Sequence, residues 1–335
     1  MENIIFYTRD KQELNEATFL YVTIINESLN TNRNLPITNK LSDISRGHVV
    51  ITITSVDFLR VKLRYPFLKC MNWFQGVAPE ESLMKHKQKY KFYLLSLVEH
   101  LTLKFSHFNF FVSQKMYKHY KKKYNYRGNN FYVMPCFNLE ISKGILKKKK
   151  NKTIVYAGSI APWQKVEFIV KTFGVLKKMD NQFKLVLLTK ERSKAMKILV
   201  ENNLQDVVEC KCVGVSELQK ELLNYKYGFL LRDNHIVNNV ASPTKMNSYM
   251  ASGLIPIYSE TIGDFSERFN KMKYCIPIKE SYDEHKIASL ICEFDRENID
   301  NSNLYKEFQS FFKEYYNRSY YASAIKNIFE IKNKR

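Results

Sequence analysis

The sequence predicts an α/β protein built as two doubly wound domains, each a parallel sheet with helices on both faces, ending in a C-terminal helical segment. Three observations predict it. The chain has 335 residues, and at roughly 150 residues per domain that length accommodates two hydrophobic cores. Short apolar runs alternate with amphipathic stretches of about 10–15 residues, the pattern of βαβ crossovers. Gly and Pro number only 10 and 8, which argues against collagen-like, linker-dominated and turn-rich all-β chains.

Taken in order, NIIFYT, VVITIT and KCMNWF read as strands. Glu81 to about Phe105 reads as one long helix, and NFFVS and FYVMPC are later strands. In the second half TIVYAGS is a strand and Pro162 to about Lys178 a helix, followed by FKLVLLT and the polar-faced helix ERSKAMKILVENN. VVECKCVGV, SELQKELLNY and YGFLLR continue the alternation, and the short helix SPTKMNSYMASG leads into LIPIYS. The lysine run 147–150 suits an exposed connection. It separates a first domain at 1–145 from a second at 151–300, with a helical segment at 301–335.

Lys and Arg total 53 against 33 Asp and Glu, a formal charge of +20. Such a surface suits an anionic membrane, nucleic acid or a phosphate-bearing substrate, or is simply compositional. The six cysteines are scattered, and Cys210-x-Cys212 puts both thiols on one face of a strand, not into a zinc site. MENIIFYTRDKQEL lacks the apolar core of a signal peptide, and no apolar run approaches 18 residues. A cytoplasmic setting with reduced thiols is expected.

ASPTKMNSYMASGLIPI is the most informative segment. Ser242 suits an N-cap and Pro243 a first helical turn. The helix N-terminus then offers free amides and partial positive charge to a phosphate at the carboxyl edge of the sheet. Thr244 adds a hydroxyl and Lys245 a full charge there, and Gly253 ends the helix. In YAGSIAPWQK, Gly158 and Ser159 leave a strand in a tight turn that lets backbone approach an anion. Arg232 ends the strand YGFLLR, where a side chain points into the ligand crevice. In WFQGVAPEES, Gly76 and Pro79 break an apolar strand, and Glu80 and Glu81 start a helix. Those carboxylates either complement the helix dipole or, with Gln75, face a substrate hydroxyl.

These segments resemble GT-B glycosyltransferases, and more closely family-four enzymes of bacterial surface-polysaccharide assembly. Pro243-Thr244-Lys245, followed by Tyr249-Met250-Ala251 and Gly253, is similar to the donor-site signature of that family. YAGSIAPWQK, WFQGVAPEES and VMPCFN fall in the family's order. The resemblance implies a Rossmann-like acceptor domain and a Rossmann-like donor domain facing a cleft. It further implies sugar transfer from a nucleotide-sugar, with retention, to a surface glycan. Gly158, Ser159, Lys165, Arg232, Ser242, Thr244, Lys245 and Ser248 would then bind the donor, and Gln75, Glu80 and Glu81 would act on the acceptor. The chain departs from the pattern. Ser248 and Val240 stand where the family carries glutamates, Ser159 stands at a family arginine, and Lys165 lies one residue beyond the expected lysine. Asn238, Asn239 or Asn247 would then reach the donor hydroxyls.

No cofactor and no metal are expected, since helix dipoles and basic side chains would manage the leaving diphosphate. KMYKHYKKKYNYR (115–127) interleaves basic and aromatic residues. It suits an anionic bilayer, single-stranded RNA or a plain solvated helix face. A lipid-linked acceptor at the inner face of the plasma membrane favours the bilayer, and the absence of RRM, KH and zinc motifs disfavours nucleic acid. The competing functions are a GT-B sugar-nucleotide epimerase, which needs extra cleft carboxylates, and a non-catalytic basic scaffold at the membrane.

Overall fold

The computed structural model describes residues 3–10, 16–29, 35–147, 152–297 and 299–333. The chain forms two compact units. One comprises Met1–Asn138, Asn239–Ser242 and Tyr316–Arg335, the other Leu139–Asn238 and Pro243–Tyr315.

The first unit runs β1 (Asn3–Tyr7), α1 (Glu16–Leu29), β2 (Ile37–Thr38), β3 (His48–Thr52), α2 (Ser55–Arg64) and β4 (Cys70–Phe74). It continues through α3 (Ala78–His86), α4 (Lys89–Phe105), β5 (Phe108–Phe111), α5 (Gln114–Tyr124) and β6 (Phe131–Val133). All strands are parallel in the order β2-β1-β3-β4-β5-β6. Strands covered on both faces are apolar throughout, as β4 and β5 are, each buried at every position. The Tyr21 ring of α1 stacks on Trp73 of β4 at 3.6 Å between centroids, and its hydroxyl donates to the Met134 carbonyl at 3.0 Å. Thr54 caps α2 by accepting from the Asp57 amide, and Ser113 caps α5 by accepting from Met116.

The second unit runs β7 (Thr153–Ala157), α6 (Val166–Met179), β8 (Lys184–Leu188), α7 (Arg192–Glu201), β9 (Val208–Lys211), α8 (Val215–Leu222) and β10 (Tyr227–Leu230). Then follow α9 (Ile236–Asn239), α10 (Thr244–Ala251), β11 (Ile255–Ser259), α11 (Phe265–Phe269), β12 (Ile276–Ile278), α12 (Glu284–Asp295) and α13 (Asn301–Glu314). Its parallel sheet has the order β12-β11-β10-β7-β8-β9. The winding therefore reverses between β7 and β10, and open α/β sheets bind ligands beyond the carboxyl ends of such a pair.

Three elements differ from the sequence expectation. The helix expected over 81–105 is two, because Lys87 adopts a left-handed conformation at φ 55° and ends α3. The helix expected from Pro162 begins as a single 3₁₀ turn, Pro162–Gln164, and Lys165 at φ 49° turns the chain into α6. The terminal stretch also divides, into α13 and a last helix α14 (Arg318–Asn333). Asn317 breaks it, its side chain accepting from the Tyr320 amide at 3.0 Å. α14 returns to the first unit, where Phe329 packs on Phe108 and Arg318 pairs with Glu27. Of the expected lysine connection, residues 148–150 lie outside the described residues.

Candidate functional site

Of the residues expected to bind a donor, Gly158, Lys245 and Arg232 meet at the β7/β10 switch point of the second unit. Gly158 follows β7 with φ +149°, and a Cβ there would lie 2.5 Å from the Lys245 ammonium. Only glycine lets Lys245 lie across the strand end. Lys245 Nζ donates to the Tyr156 hydroxyl at 3.1 Å and to Gln164 Oε1 at 2.7 Å, 4.3 Å from the Tyr156 ring centroid. All three contacts are neutral. Among the described residues no carboxylate pairs with Lys245. Burial holds its pKa well below the ordinary lysine range, and the neighbouring Arg232 lowers it further.

Arg232 leaves β10 with its amide donating to Ser259 Oγ at 2.9 Å, and its guanidinium donates to Asn238 Oδ1 at 3.3 Å. Tyr249 of α10 ties the two central strands together. Its hydroxyl accepts from the Ala157 amide at 3.0 Å and donates to the Phe229 carbonyl at 3.1 Å. Its ring lies over Gly228, where a Cβ would stand 2.6 Å away. Gly253, at φ +63°, ends the turn after α10, as expected.

One expectation is corrected here, and the structure gives the contacts of three further expected site residues. Ser242 does not cap α10: Pro243 occupies the N-cap position and no side chain caps the helix. The Ser242 hydroxyl instead accepts from the Cys136 amide at 3.0 Å. The Met246 amide donates to the Pro243 carbonyl at 3.2 Å, and the amides of Thr244 and Lys245 before it open the helix. Lys165 does not join Lys245. It pairs with Asp233 at 2.9 Å and lies over Phe168, while its neighbour Gln164 makes the contact. Ser159 contributes its carbonyl, which accepts from Tyr156 at 2.5 Å, and its side chain is exposed. Ser248 bonds back to the Thr244 carbonyl at 3.1 Å. Asn247 is held by both backbone groups of Leu139, and Asn238 by Arg232 and the Asp233 carbonyl.

In the first unit, Gln75 follows β4 and donates to Thr18 Oγ1 at 3.2 Å. The Glu81 carboxylate folds back over Gly76, in space that any Cβ there would take. Glu80 is buried among charges and is not an open base. It accepts from Lys123 at 2.7 Å and lies 3.3 Å from His119 Nε2. Desolvation raises its pKa, but His119 and Lys123 outweigh that and hold it below the ordinary range. Lys123 also reaches Glu99 at 3.3 Å, and Glu99 accepts from Tyr120 and Tyr124 at 3.0 and 2.7 Å. Burial pushes Glu99 upward.

The aromatics of 115–127 face inward too. Tyr117 stacks on Phe131 at 4.2 Å and Tyr120 packs edge-on against Phe74 at 5.1 Å. Among the described residues no three His, Cys, Asp or Glu cluster as metal ligands, and no helix is long and apolar enough to cross a membrane.

Sequence reasoning missed Tyr156 and Gln164, which hold the Lys245 ammonium. Tyr156 sits two residues before the strand-ending glycine, the one signal that pointed to it.

No protein-family model and no curated protein matches the chain. Solved structures do match, glycosyltransferases among them. The glycosyltransferase WaaG, involved in lipopolysaccharide biosynthesis, superposes with a TM-score of 0.67 at 9% identity, covering 96% of this chain and 99% of its own. The lipopolysaccharide outer core galactosyltransferase WaaB gives 0.62 at 11% identity, covering 98% and 99%. A single-residue mutant of S. aureus TarM, in complex with fondaparinux, α-GlcNAc-glycerol and UDP, gives 0.66 at 12% identity. That match covers 85% of this chain, which spans 56% of the TarM chain. The two parallel six-stranded sheets and these likenesses establish the GT-B fold, with two Rossmann-like units.

Proposed function

We propose that this protein is a glycosyltransferase that binds a nucleotide-sugar in its second unit and transfers the sugar to a glycan acceptor. The observation that carries the reading is Lys245, a half-buried cation with neutral contacts and Arg232 as a like-charged neighbour. Two cations held near one another at a switch point, beside the uncapped N-terminus of α10, favour a bound anion with two phosphates. A nucleoside diphosphate has that charge and length.

The chemistry follows from the anion. As the bond from sugar C1 to the diphosphate oxygen breaks, the electron pair stays on the diphosphate. Lys245, Arg232 and the α10 amides stabilise that growing charge in a site already organised for it. The acceptor hydroxyl oxygen forms the new bond to C1, and its proton passes to the departing diphosphate oxygen. Gln75, just after β4, and Glu81, in the first turn of α3, orient the acceptor. Cationic side chains supply the electrostatic stabilisation, so turnover persists in excess EDTA.

The finer reading joins the family resemblance to the likeness to WaaG and WaaB. We infer on that basis an enzyme that acts in the cytoplasm at the inner membrane face, with retention, on a lipid-linked surface glycan. The decisive experiment is a thermal-shift screen of nucleoside diphosphates and their sugars, followed by transfer of a labelled sugar to membrane glycolipid. The cognate ligand raises Tm by mass action. Absence of any shift overturns the reading.

A further inference from the structure

The first unit carries an unpartnered apolar stripe that neither the donor site nor the acidic cluster uses. Tyr90, Tyr93, Leu94 and Leu97 of α4 are 66%, 68%, 60% and 55% exposed. Their spacing is i, i+3, i+4 and i+7, one face of a helix. The opposite face, at Val98, Glu99, Thr102 and Leu103, is buried. An exposed apolar stripe on a helix that is otherwise well seated marks a contact surface.

Charge identifies what fits there. Lys85, Lys87, Lys89 and Lys91 lie within seven residues beside the stripe, and no Asp or Glu occurs between Glu81 and Glu99. Lys85, Lys87 and Lys89 are exposed. The left-handed turn at Lys87 separates α3 from α4 and gathers these lysines next to Tyr90 and Tyr93. Tyr and Lys flanking an apolar helical face match the polar–apolar boundary of an anionic bilayer, rings at headgroup depth and ammonium groups on lipid phosphate. Because α4 leads into β5, its N-terminal half lies towards the carboxyl edge of the sheet, where Gln75 follows β4.

We infer that the N-terminal half of α4, with the α3–α4 turn, is the surface by which this protein docks on an anionic membrane. This deepens the membrane part of the proposed function and moves it off α5. The α5 aromatics are packed inside, and Lys123 is held by Glu80 and Glu99.

The test is co-sedimentation of the full chain with vesicles of phosphatidylcholine alone and with about 30% phosphatidylglycerol, at low and high salt. The parent binds the anionic vesicles and is released by salt. Leu94→Glu with Leu97→Glu lowers the partition coefficient at least about tenfold, as does the charge variant Lys87→Glu with Lys89→Glu and Lys91→Glu. Lys121→Glu with Lys122→Glu binds as the parent does. Binding of UDP-sugars and other nucleotide-sugars by calorimetry is unchanged in all variants, so loss of docking and failure of the donor reading are separate results. The inference is overturned if the parent ignores anionic vesicles, or if both α4 variants sediment like the parent. It is equally overturned if light scattering shows a dimer that Leu94→Glu dissolves, since the stripe then seats a second copy.

Discussion

The ammonium of Lys245, on α10, donates to the hydroxyl of Tyr156, on β7, at 3.1 Å and lies 4.3 Å from the centroid of the same ring. One residue thus meets both the polar and the π face of another, in space that Gly158 leaves open. A lysine that finds only neutral partners keeps its charge at a cost, and an arriving diphosphate removes that cost.

Lys245→Ala is therefore expected to weaken nucleoside-diphosphate binding by about 1–3 kcal/mol, the scale of a charge-assisted hydrogen bond. Gly158→Ala is expected to do the same without touching the lysine, because its methyl would claim the position of the ammonium. Titration calorimetry with the cognate nucleotide decides. Parent-like affinity in both variants would place the phosphates elsewhere.

The same lysine predicts a proton signature. Its folded pKa is depressed below the ordinary value of about 10.4. Between the two values the unfolded chain binds more protons than the folded one, so this group's contribution to stability rises with pH there. A bound diphosphate favours the ammonium and pulls the pKa back up. Within that window, binding should take up protons, detected as a dependence of the calorimetric enthalpy on the ionisation heat of the buffer. Lys245→Met should abolish the uptake, and uptake that survives the substitution would assign it to another group.

The alternation of apolar runs revealed both sheets because parallel strands buried on two faces leave little else to write in the sequence. Thr244, Lys245, Gly158 and Arg232 were legible as well, since a helix start and two strand ends carry positional meaning. What stayed hidden depended on partners distant in sequence. Nothing local distinguishes Lys123, which bridges two carboxylates, from Lys121, which is exposed. Ser242 has the composition of a cap, yet its hydroxyl is held by Cys136. Lys87 ended a helix that its flanking periodicity would have continued, and Asn317 divided a terminal segment expected as one.

Tyr249→Phe tests the tie between β7 and β10. It leaves the Ala157 amide and the Phe229 carbonyl without their buried partner, and each such loss costs about 1–3 kcal/mol. Chemical denaturation should show destabilisation of about 2–6 kcal/mol for the two losses together, with an unchanged slope. A neutral result would mean that water replaces the hydroxyl.

Lys123 supplies the sharpest contrast with its neighbours. Its ammonium lies 2.7 Å from Glu80 and 3.3 Å from Glu99, and all three side chains are largely buried. Removing one member of such a group leaves buried charge uncompensated, at about 3–5 kcal/mol. Lys123→Met should therefore lower stability by that order, whereas Lys121→Glu, at an exposed position, should stay within about 0.5 kcal/mol. The loss should depend on pH. Lys123 lowers the pKa of both carboxyls, so its removal lets burial raise them. A carboxyl whose folded pKa lies above its unfolded value stabilises below the unfolded pKa and loses that contribution as pH rises through the folded one. The stability gap between Lys123→Met and the parent should therefore narrow as pH falls from about 7 to about 5. Thermal melts across that range measure it. A gap that is constant with pH would show that lost packing, and not the two carboxylates, sets the cost.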